Sequence, residues 1–229
     1  MLCLFNNWNL FNDIFMAVAF KCKLDSHFNT QKLEVSLRPL GYGDRESVQR
    51  WLSDPYIIQL TFVVTGPGNY PSVPFSTAAA DNYINMLITD QSRVTFAIEV
   101  NSEHIGNIGL KEYSPAKNYC EFFVEIGKDQ YRGRGLGKAA IAALMDYTLG
   151  VLNLSEVHLE VLEFNSVAIH VYEQLGFIMT HHTGWHYDRN GQYWQVWGMT
   201  LTKERWTSCK KQLLLPANVI IKPVALSTP

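Results

Sequence analysis

The sequence is short of charge and of paired cysteines. Lys, Arg, Asp and Glu together make up 17% of its 229 residues, against 47% hydrophobic and 13% aromatic. A chain this poor in charge, without a Gly-X-Y period, is not a disordered segment, a coiled coil or a collagen. Charge of one sign is missing as well: 19 basic against 21 acidic residues leave a net charge of −2 and a pI near 6.4. That is the wrong balance for a protein built to coat nucleic acid. The four cysteines, Cys3, Cys22, Cys120 and Cys209, form no C-x-x-C pair. Neither a zinc knuckle nor a disulfide framework is therefore expected, and a reducing cytoplasm is the default. No uncharged apolar run reaches the roughly 18–20 residues of a membrane span, and no internal repeat is visible.

What is present suffices for a buried core in one large domain or two small ones. Residues 1–32 are set apart by an apolar, aromatic start broken by Asn6, Asn7, Asn9 and Asn12. Ala17-Val18-Ala19 has the small-x-small form of a signal cleavage site, but no basic residue precedes Lys21, which argues against that reading. The segment is expected to be an extension, disordered or mis-started, since Met16 would serve equally well as an initiator.

Regular structure is expected from residue 33. Lys32–Arg38 alternates in period two, as a half-buried strand does. Pro39 ends it, and Asp44 should cap an amphipathic helix burying Val48, Trp51 and Leu52. Residues 65–77, with three prolines and two glycines, read as a long flap-like loop. A helix over 78–89 should turn Tyr83, Met86 and Leu87 inward. Strands follow at Val94–Val100, His104–Glu112 and Tyr119–Gly127, joined by turns short enough for antiparallel pairing. Beyond a glycine-rich loop come a helix over 136–149, a strand over 156–162 and a helix over 166–175. A closing hairpin pairs 177–187 with 192–202 across Asn190-Gly191, a strong hairpin signal. Residues 207–229 read as an extended tail or packing arm.

The chemistry concentrates in Glu125-Ile126-Gly127-Lys128-Asp129-Gln130-Tyr131-Arg132-Gly133-Arg134-Gly135-Leu136-Gly137-Lys138. A strand ends, glycines turn the backbone, and a helix begins. Such a junction aims free N–H groups and the positive end of the helix dipole at one spot, and Arg132, Arg134 and Lys138 add positive charge. An anionic ligand, above all a pyrophosphate, fits it. A Walker A loop is excluded because Lys138 is followed by Ala139 and position 132 is Arg. A Rossmann fingerprint is excluded by the spacing and by the antiparallel strands that precede the loop.

The pattern Q-x-x-G-x-G at 130–135, behind a meander of antiparallel strands, resembles the pyrophosphate loop of the GNAT superfamily of acetyl-CoA-dependent N-acetyltransferases. A second segment, Asn165-Ser166-Val167-Ala168-Ile169-His170-Val171-Tyr172-Glu173-Gln174-Leu175-Gly176-Phe177, resembles that family's N-x-x-A-x-x-x-Y-x-x-x-G-F motif. On the residues alone, Asn165 is a helix N-cap and Gly176 a C′ residue. Asn165 and Tyr172 lie about two turns apart near one helix face. Leu37-Arg38-Pro39-Leu40 and the segment from Asn190 to Trp206 resemble the branch holding ribosomal-protein N-terminal and spermidine acetyltransferases. The resemblance spans roughly 33–206, so the expected layout is an extension (1–32), a GNAT N-acetyltransferase domain (33–206) and a tail (207–229).

The resemblance implies an α/β (α+β) GNAT fold: a mixed, mostly antiparallel sheet of about seven strands flanked by helices and splayed between strands 4 and 5. It implies acetyl-CoA as co-substrate and no metal. By the same carry-over, Ile126, Gly127, Gln130, Arg132, Gly133, Arg134, Gly135, Leu136, Gly137, Lys138, Asn165 and Tyr172 hold the cofactor. The backbone around Ile126 would bind the pantetheine arm and polarise the thioester carbonyl, and Tyr172 would protonate the departing sulfur. An amine of pKa about 8–10.4 needs a proton acceptor near neutrality. Glu121 and Glu125, four apart on one strand face, are the candidates, Glu121 first because branch members carry a Glu early in this strand. His181, His182 and His186 read as surface or pocket wall, since no carboxylate spacing supports a metal site. His170 reads as exposed. Trp185, Tyr187, Trp194 and Trp197 alternate in the hairpin, so some belong to the core.

The expected reaction is direct transfer of acetyl to a primary amine in a ternary complex. The acceptor is a small cation (polyamine, aminoglycoside or amino-acid derivative) or, alternatively, a protein N-terminus such as that of a ribosomal protein. A CoA-binding module without catalysis is the contrasting class, disfavoured because both Asn165 and Tyr172 are present. No nucleic-acid or membrane partner is expected; the oligomeric state is open, a dimer included. Residues 33–206 hold 13 basic and 19 acidic residues. Four of the basic ones, Lys128, Arg132, Arg134 and Lys138, cluster at the phosphate loop beside Asp129, and the remaining 9 basic against 18 acidic residues leave an acidic body that favours a cationic acceptor by weak steering.

Overall fold

The alternation at the start of the described chain forms β1 (Leu33–Pro39), which buries Leu33, Val35 and Leu37 and leaves the residues between them partly exposed. A computed structural model describes residues 32–60, 76–113, 116–187 and 192–222. β2 (Val94–Val100), β3 (Glu103–Lys111) and β4 (Tyr119–Ile126) follow as an antiparallel meander, β2 also pairing antiparallel with β1. β5 (Glu156–Leu162) runs parallel to β4. β6 (Ile178–Tyr187) and β7 (Tyr193–Thr202) form the expected hairpin, with β7 inserted against β5. A short β8 (Val219–Lys222) pairs in parallel with β1, giving one sheet in the order β6-β7-β5-β4-β3-β2-β1-β8. The eighth strand lies in the segment read from sequence as an arm.

The parallel seam between β4 and β5 is short. Only Tyr119, Cys120 and Glu121 find partners, at Glu156, Val157 and His158. From Phe122 onward the two strands part, and that gap determines where a ligand can enter. On one face of the sheet, α4 (Leu136–Met145) and α5 (Ser166–Gln174) pack over Phe96, Ile98, Ile108, Phe122 and Leu159. On the other face lie α1 (Arg45–Leu52), α2 (Pro55–Leu60) and α3 (Thr77–Thr89), with Leu87 of α3 against Ala97 and Phe123.

Local chemistry explains most helix ends. Ser76 Oγ accepts from Ala79 N at 3.1 Å at the start of α3, and Asn165 Oδ1 accepts from Ala168 N at 3.3 Å at the start of α5, the expected N-cap bonds. Asp44 occupies the N-cap position of α1 without capping it; its carboxylate is turned toward Arg38 and His104 instead. In α3 the buried positions are Ala80, Ile84 and Leu87, whereas Met86 is 41% exposed, so the inner face is rotated from the expected one. α4 is continued by a π-helical turn over Asp146–Val151. Two helices went unforeseen: α2, and α6 (Lys203–Cys209), whose Trp206 Nε1 donates to the buried Asp146 at 2.8 Å, where Lys210 Nζ also binds at 2.9 Å. The proline-rich 65–77 loop, all but its last two residues, and the Asn190-Gly191 turn lie outside the described residues, as do residues 1–31.

Candidate active site at the splayed strands

The parting of β4 from β5 opens a cavity of about 790 Å³ that runs through the sheet from the α4–α5 face to the α3 face. Alternation fixes what each strand residue presents. Gly127 N donates to Ile105 O at 2.9 Å, so Glu125 and Phe123 direct their backbone groups to β3. The N–H and C=O of Val124 and Ile126 then face the gap. Side chains alternate independently: Phe122, Val124 and Ile126 pack with the core under α4 and α5. Glu121, Phe123 and Glu125 stand on the α3 face.

On the α4–α5 face, the loop after β4 reaches α4 through Gly133 at φ +69° and Gly135 at φ +75°, a left-handed conformation that costs glycine little. Gly135 is the N-cap of α4, leaving the first N–H groups of that helix without helical partners beside the cavity. These groups fit a pyrophosphate. The basic side chains are less free than the sequence suggested. Arg132 donates from Nε to Ile126 O at 2.9 Å and from Nη2 to Gly127 O at 2.7 Å, and its guanidinium lies over Tyr56. It clamps the end of β4. Lys138 Nζ binds Gln174 Oε1 at 2.9 Å and Leu214 O at 3.0 Å, and burial lowers its pKa. Pro216 packs so closely on Gly135 that a Cβ there would lie 2.5 Å from its ring. The arm thus braces the loop.

Tyr172 projects from α5 into the cavity, 9% exposed, its ring edge-on to Phe122 with centroids 5.6 Å apart and tilted against Phe177 at 5.9 Å. Its hydroxyl makes no hydrogen bond to any described residue, and burial pushes its pKa well up, so it stays a phenol across the working pH range.

The two glutamates occupy different surroundings. Glu121 stands where β4 and β5 still pair, 2.5 Å from Lys111 Nζ; burial raises its pKa while the Lys111 ammonium opposes the rise. Glu125 stands in the open part of the gap. It accepts from Asn107 Nδ2 at 2.6 Å, and no described Lys or Arg pairs with it. Burial raises its pKa, opposed by the Asn107 bond and by His104. Tyr83 of α3 and Glu160 of β5 line the same cavity.

Of the residues expected at the cofactor, the structure brings Ile126, Arg132, Gly133, Gly135, Leu136, Gly137, Lys138, Asn165 and Tyr172 to the cavity wall. Gly127, Gln130 and Arg134 lie outside that wall. Gly127 is pressed against Trp51, whose ring a Cβ would reach at 1.9 Å. Gln130 and Arg134 are exposed, Arg134 over the Tyr131 ring. His181 and His182 are exposed and away from the cavity, and His170 is exposed at its rim. Trp197 packs on the core, Trp194 lies edge-on to Phe164, and Trp185 is 59% exposed. The sequence reading missed Asn107, Tyr83 and Glu160. An uncharged amide between Gly106 and Ile108 inside the apolar run of β3 was the available signal, because a buried amide has to have a partner.

A mixed sheet that parts between two parallel strands, with a glycine loop opening a helix at the gap, defines the acyltransferase architecture expected from the two motifs. Comparison with known proteins agrees. The family model described as acetyltransferase (GNAT) domain matches residues 34–178, and the chain belongs to that family of acyltransferases. The spermidine N(1)-acetyltransferase of Escherichia coli K12 is 33% identical over 60% of this chain and 72% of its own. That of Vibrio cholerae serotype O1 is 28% identical over 53% of this chain and 70% of its own. A crystal structure of the Vibrio cholerae spermidine N-acetyltransferase with CoA and spermine superposes with a TM-score of 0.65 at 25% identity, covering 76% of this chain and 98% of that one. Among the described residues no helix is long and apolar enough to cross a membrane.

Proposed function

We propose that the chain transfers acetyl from acetyl-CoA to a primary amine of a small polycation of the polyamine class. The observation that carries the acceptor class is the charge on the α3 face of the gap. Three carboxylates, Glu121, Glu125 and Glu160, line the cavity there. Of the cations that line this face, Lys111 pairs with Glu121 and Arg93 with Asp90, outside the cavity. Glu125 and Glu160 are left without a cationic partner among the described residues, which suits a ligand bringing its own positive charges. The spermidine acetyltransferases among its relatives support the same class.

The reaction needs a free amine, a stabilised oxyanion and a proton for the thiolate. Glu125 accepts the amine proton, directly or through a water. Its raised pKa brings it closer to that of the amine, which favours transfer. This reverses the order expected from sequence, since Glu121 is neutralised by Lys111. The backbone N–H groups of Val124 and Ile126, facing the gap, are placed to hold the thioester oxygen. Tyr172 delivers its proton to the sulfur. The N–H groups opening α4 hold the pyrophosphate.

The test is release of CoA thiol from acetyl-CoA with spermidine, spermine, aminoglycosides, amino acids and N-terminal peptides offered separately. Polyamines are expected to give the highest kcat/KM, and Glu125→Gln to lower kcat at least a hundredfold. A preference for peptides would overturn the acceptor class, and full activity in Glu125→Gln would overturn the base.

A further inference from the structure

The carboxylate of Glu125 is the last member of a polar chain that begins at Arg38 in β1, and that chain has a direction. Asn107 and Glu125 are direct partners across the β3–β4 ladder. Asn107 is fully buried and donates from Nδ2 to Glu125 Oε1 at 2.6 Å. Its Oδ1 lies 3.0 Å from His104 Nε2, which is also 3.0 Å from Gly106 O. Two carbonyl oxygens at one ring nitrogen require that nitrogen to carry a proton. His104 therefore fixes which way the Asn107 amide points. Turned over, the amide would present its NH2 to the His104 N–H and its oxygen to a carboxylate, both repulsive.

His104 is held in turn. Its Nδ1 is 3.1 Å from Asp44 Oδ1, close enough for an ion pair though without hydrogen-bond alignment, and its ring stands edge-on to Trp51 at 4.7 Å. Asp44 is gripped by Arg38 at 2.6 and 2.8 Å and by Gly41 N at 3.0 Å, and Arg38 also binds Glu99 at 2.7 Å. A β-bulge makes this alignment possible. The β2–β3 register shifts so that Ile98 faces Gly106 while Glu99 faces His104. Ile105 is the extra residue, and it brings His104 onto the same face as Asn107. A regular strand would put them on opposite faces.

We infer that His104, anchored by Asp44, is a positioning residue that orients the Asn107 amide and through it holds the Glu125 carboxylate toward the acceptor amine. The inference rests on Glu125 being the base. Among the described residues, the other ionisable group that bears on that carboxylate is Tyr83 from α3, which donates no hydrogen bond to it; Glu121, paired with Lys111, and Glu160 of β5 line the same cavity face. Asn107 is the donor that favours the ionised form. Losing its orientation removes a bond that lowers the Glu125 pKa, so the acidic limb of the kcat/KM profile moves to higher pH.

The experiment compares His104→Phe, which keeps a ring beside Trp51, with His104→Gln, which keeps a donor, in the full-length enzyme with acetyl-CoA and spermidine. His104→Phe is expected to lower kcat about tenfold, leave both KM values within about threefold and raise the acidic limb by about one pH unit, the worth of one charge-assisted hydrogen bond. His104→Gln should recover part of both changes. Should His104→Phe not fold, Asn107→Leu is measured in its place with the same expected shift. An unmoved limb in a folded variant, with Glu125→Gln inactive, overturns the positioning role and leaves the base assignment standing. An active Glu125→Gln overturns both.

Discussion

Replacing Tyr172 by Phe separates catalysis from packing unusually well in this structure. The ring is buried against Phe122 and Phe177, and the substitution preserves those contacts. The hydroxyl has no described partner, so its loss removes no hydrogen bond, and the apolar surface buried is unchanged. The expected change in unfolding free energy is therefore within about 0.5 kcal/mol, the range of a substitution that breaks nothing. The proton that Tyr172 is proposed to deliver to the sulfur is lost altogether. A positioned general acid contributes about 10²–10⁴ in rate, so kcat should fall at least a hundredfold. The affinity for acetyl-CoA should stay within about twofold, because the N–H groups opening α4 are untouched. Urea denaturation followed by tryptophan fluorescence measures the first quantity. Thiol release at saturating amine measures the second, and calorimetric titration with CoA the third. Burial keeps the phenol protonated, so the wild-type rate should show no alkaline fall from Tyr172 below about pH 10. Unchanged turnover at saturation would remove Tyr172 from the mechanism. A large loss of stability would refute the reading of its hydroxyl as unpartnered.

Three further outcomes follow from the framework around the site. Asp44→Asn should destabilise the fold by about 2 kcal/mol at pH 7 in urea melts, the value for a broken buried pair discounted for the partial exposure of Arg38. Although burial pushes the Asp44 pKa up, Arg38, His104 and Gly41 N outweigh it and hold the carboxyl well below its ordinary range. Its contribution is thus complete above about pH 4 and lost as pH falls through the depressed value, so wild type and variant should converge in acid; equal stability at pH 7 would count against the pairing. Gly127→Ala drives a methyl into the Trp51 ring and should cost about 1–3 kcal/mol by overpacking, read as a lowered urea midpoint, whereas an unchanged midpoint would show that Trp51 can move aside. Trp206→Phe removes the donor to Asp146, whose other carboxylate oxygen is already buried without a partner; a loss of about 1–3 kcal/mol is expected, and a neutral result in the same melts would argue that Lys210 alone satisfies Asp146.

Much of this molecule is legible in the chain itself. Period-two alternation located β1, Asn165 and Gly176 bounded α5, and the glycine spacing at 130–135 placed the helix-opening loop, because each depends on interactions between residues close in sequence. The two motifs were sufficient to name the family. Other features depend on contacts that local pattern does not encode. The parting of β4 from β5 arises because only three residue pairs join the two strands, and it decides which backbone groups face the ligand. Arg132 looks like a free phosphate ligand in sequence and is a clamp on Ile126 and Gly127 in space. Glu121 and Glu125 are equivalent by spacing; Lys111, brought opposite Glu121 by the β3–β4 register, and Asn107, brought opposite Glu125, make them different. The bulge at Ile105 places His104 beside Asn107, where strict alternation would separate them. Which residues turn, cap and alternate can be read along the chain, since those preferences act within a few residues. Which carboxylate is neutralised by Lys111 and which meets only an amide emerges from the folded sheet, because that depends on groups delivered by neighbouring strands.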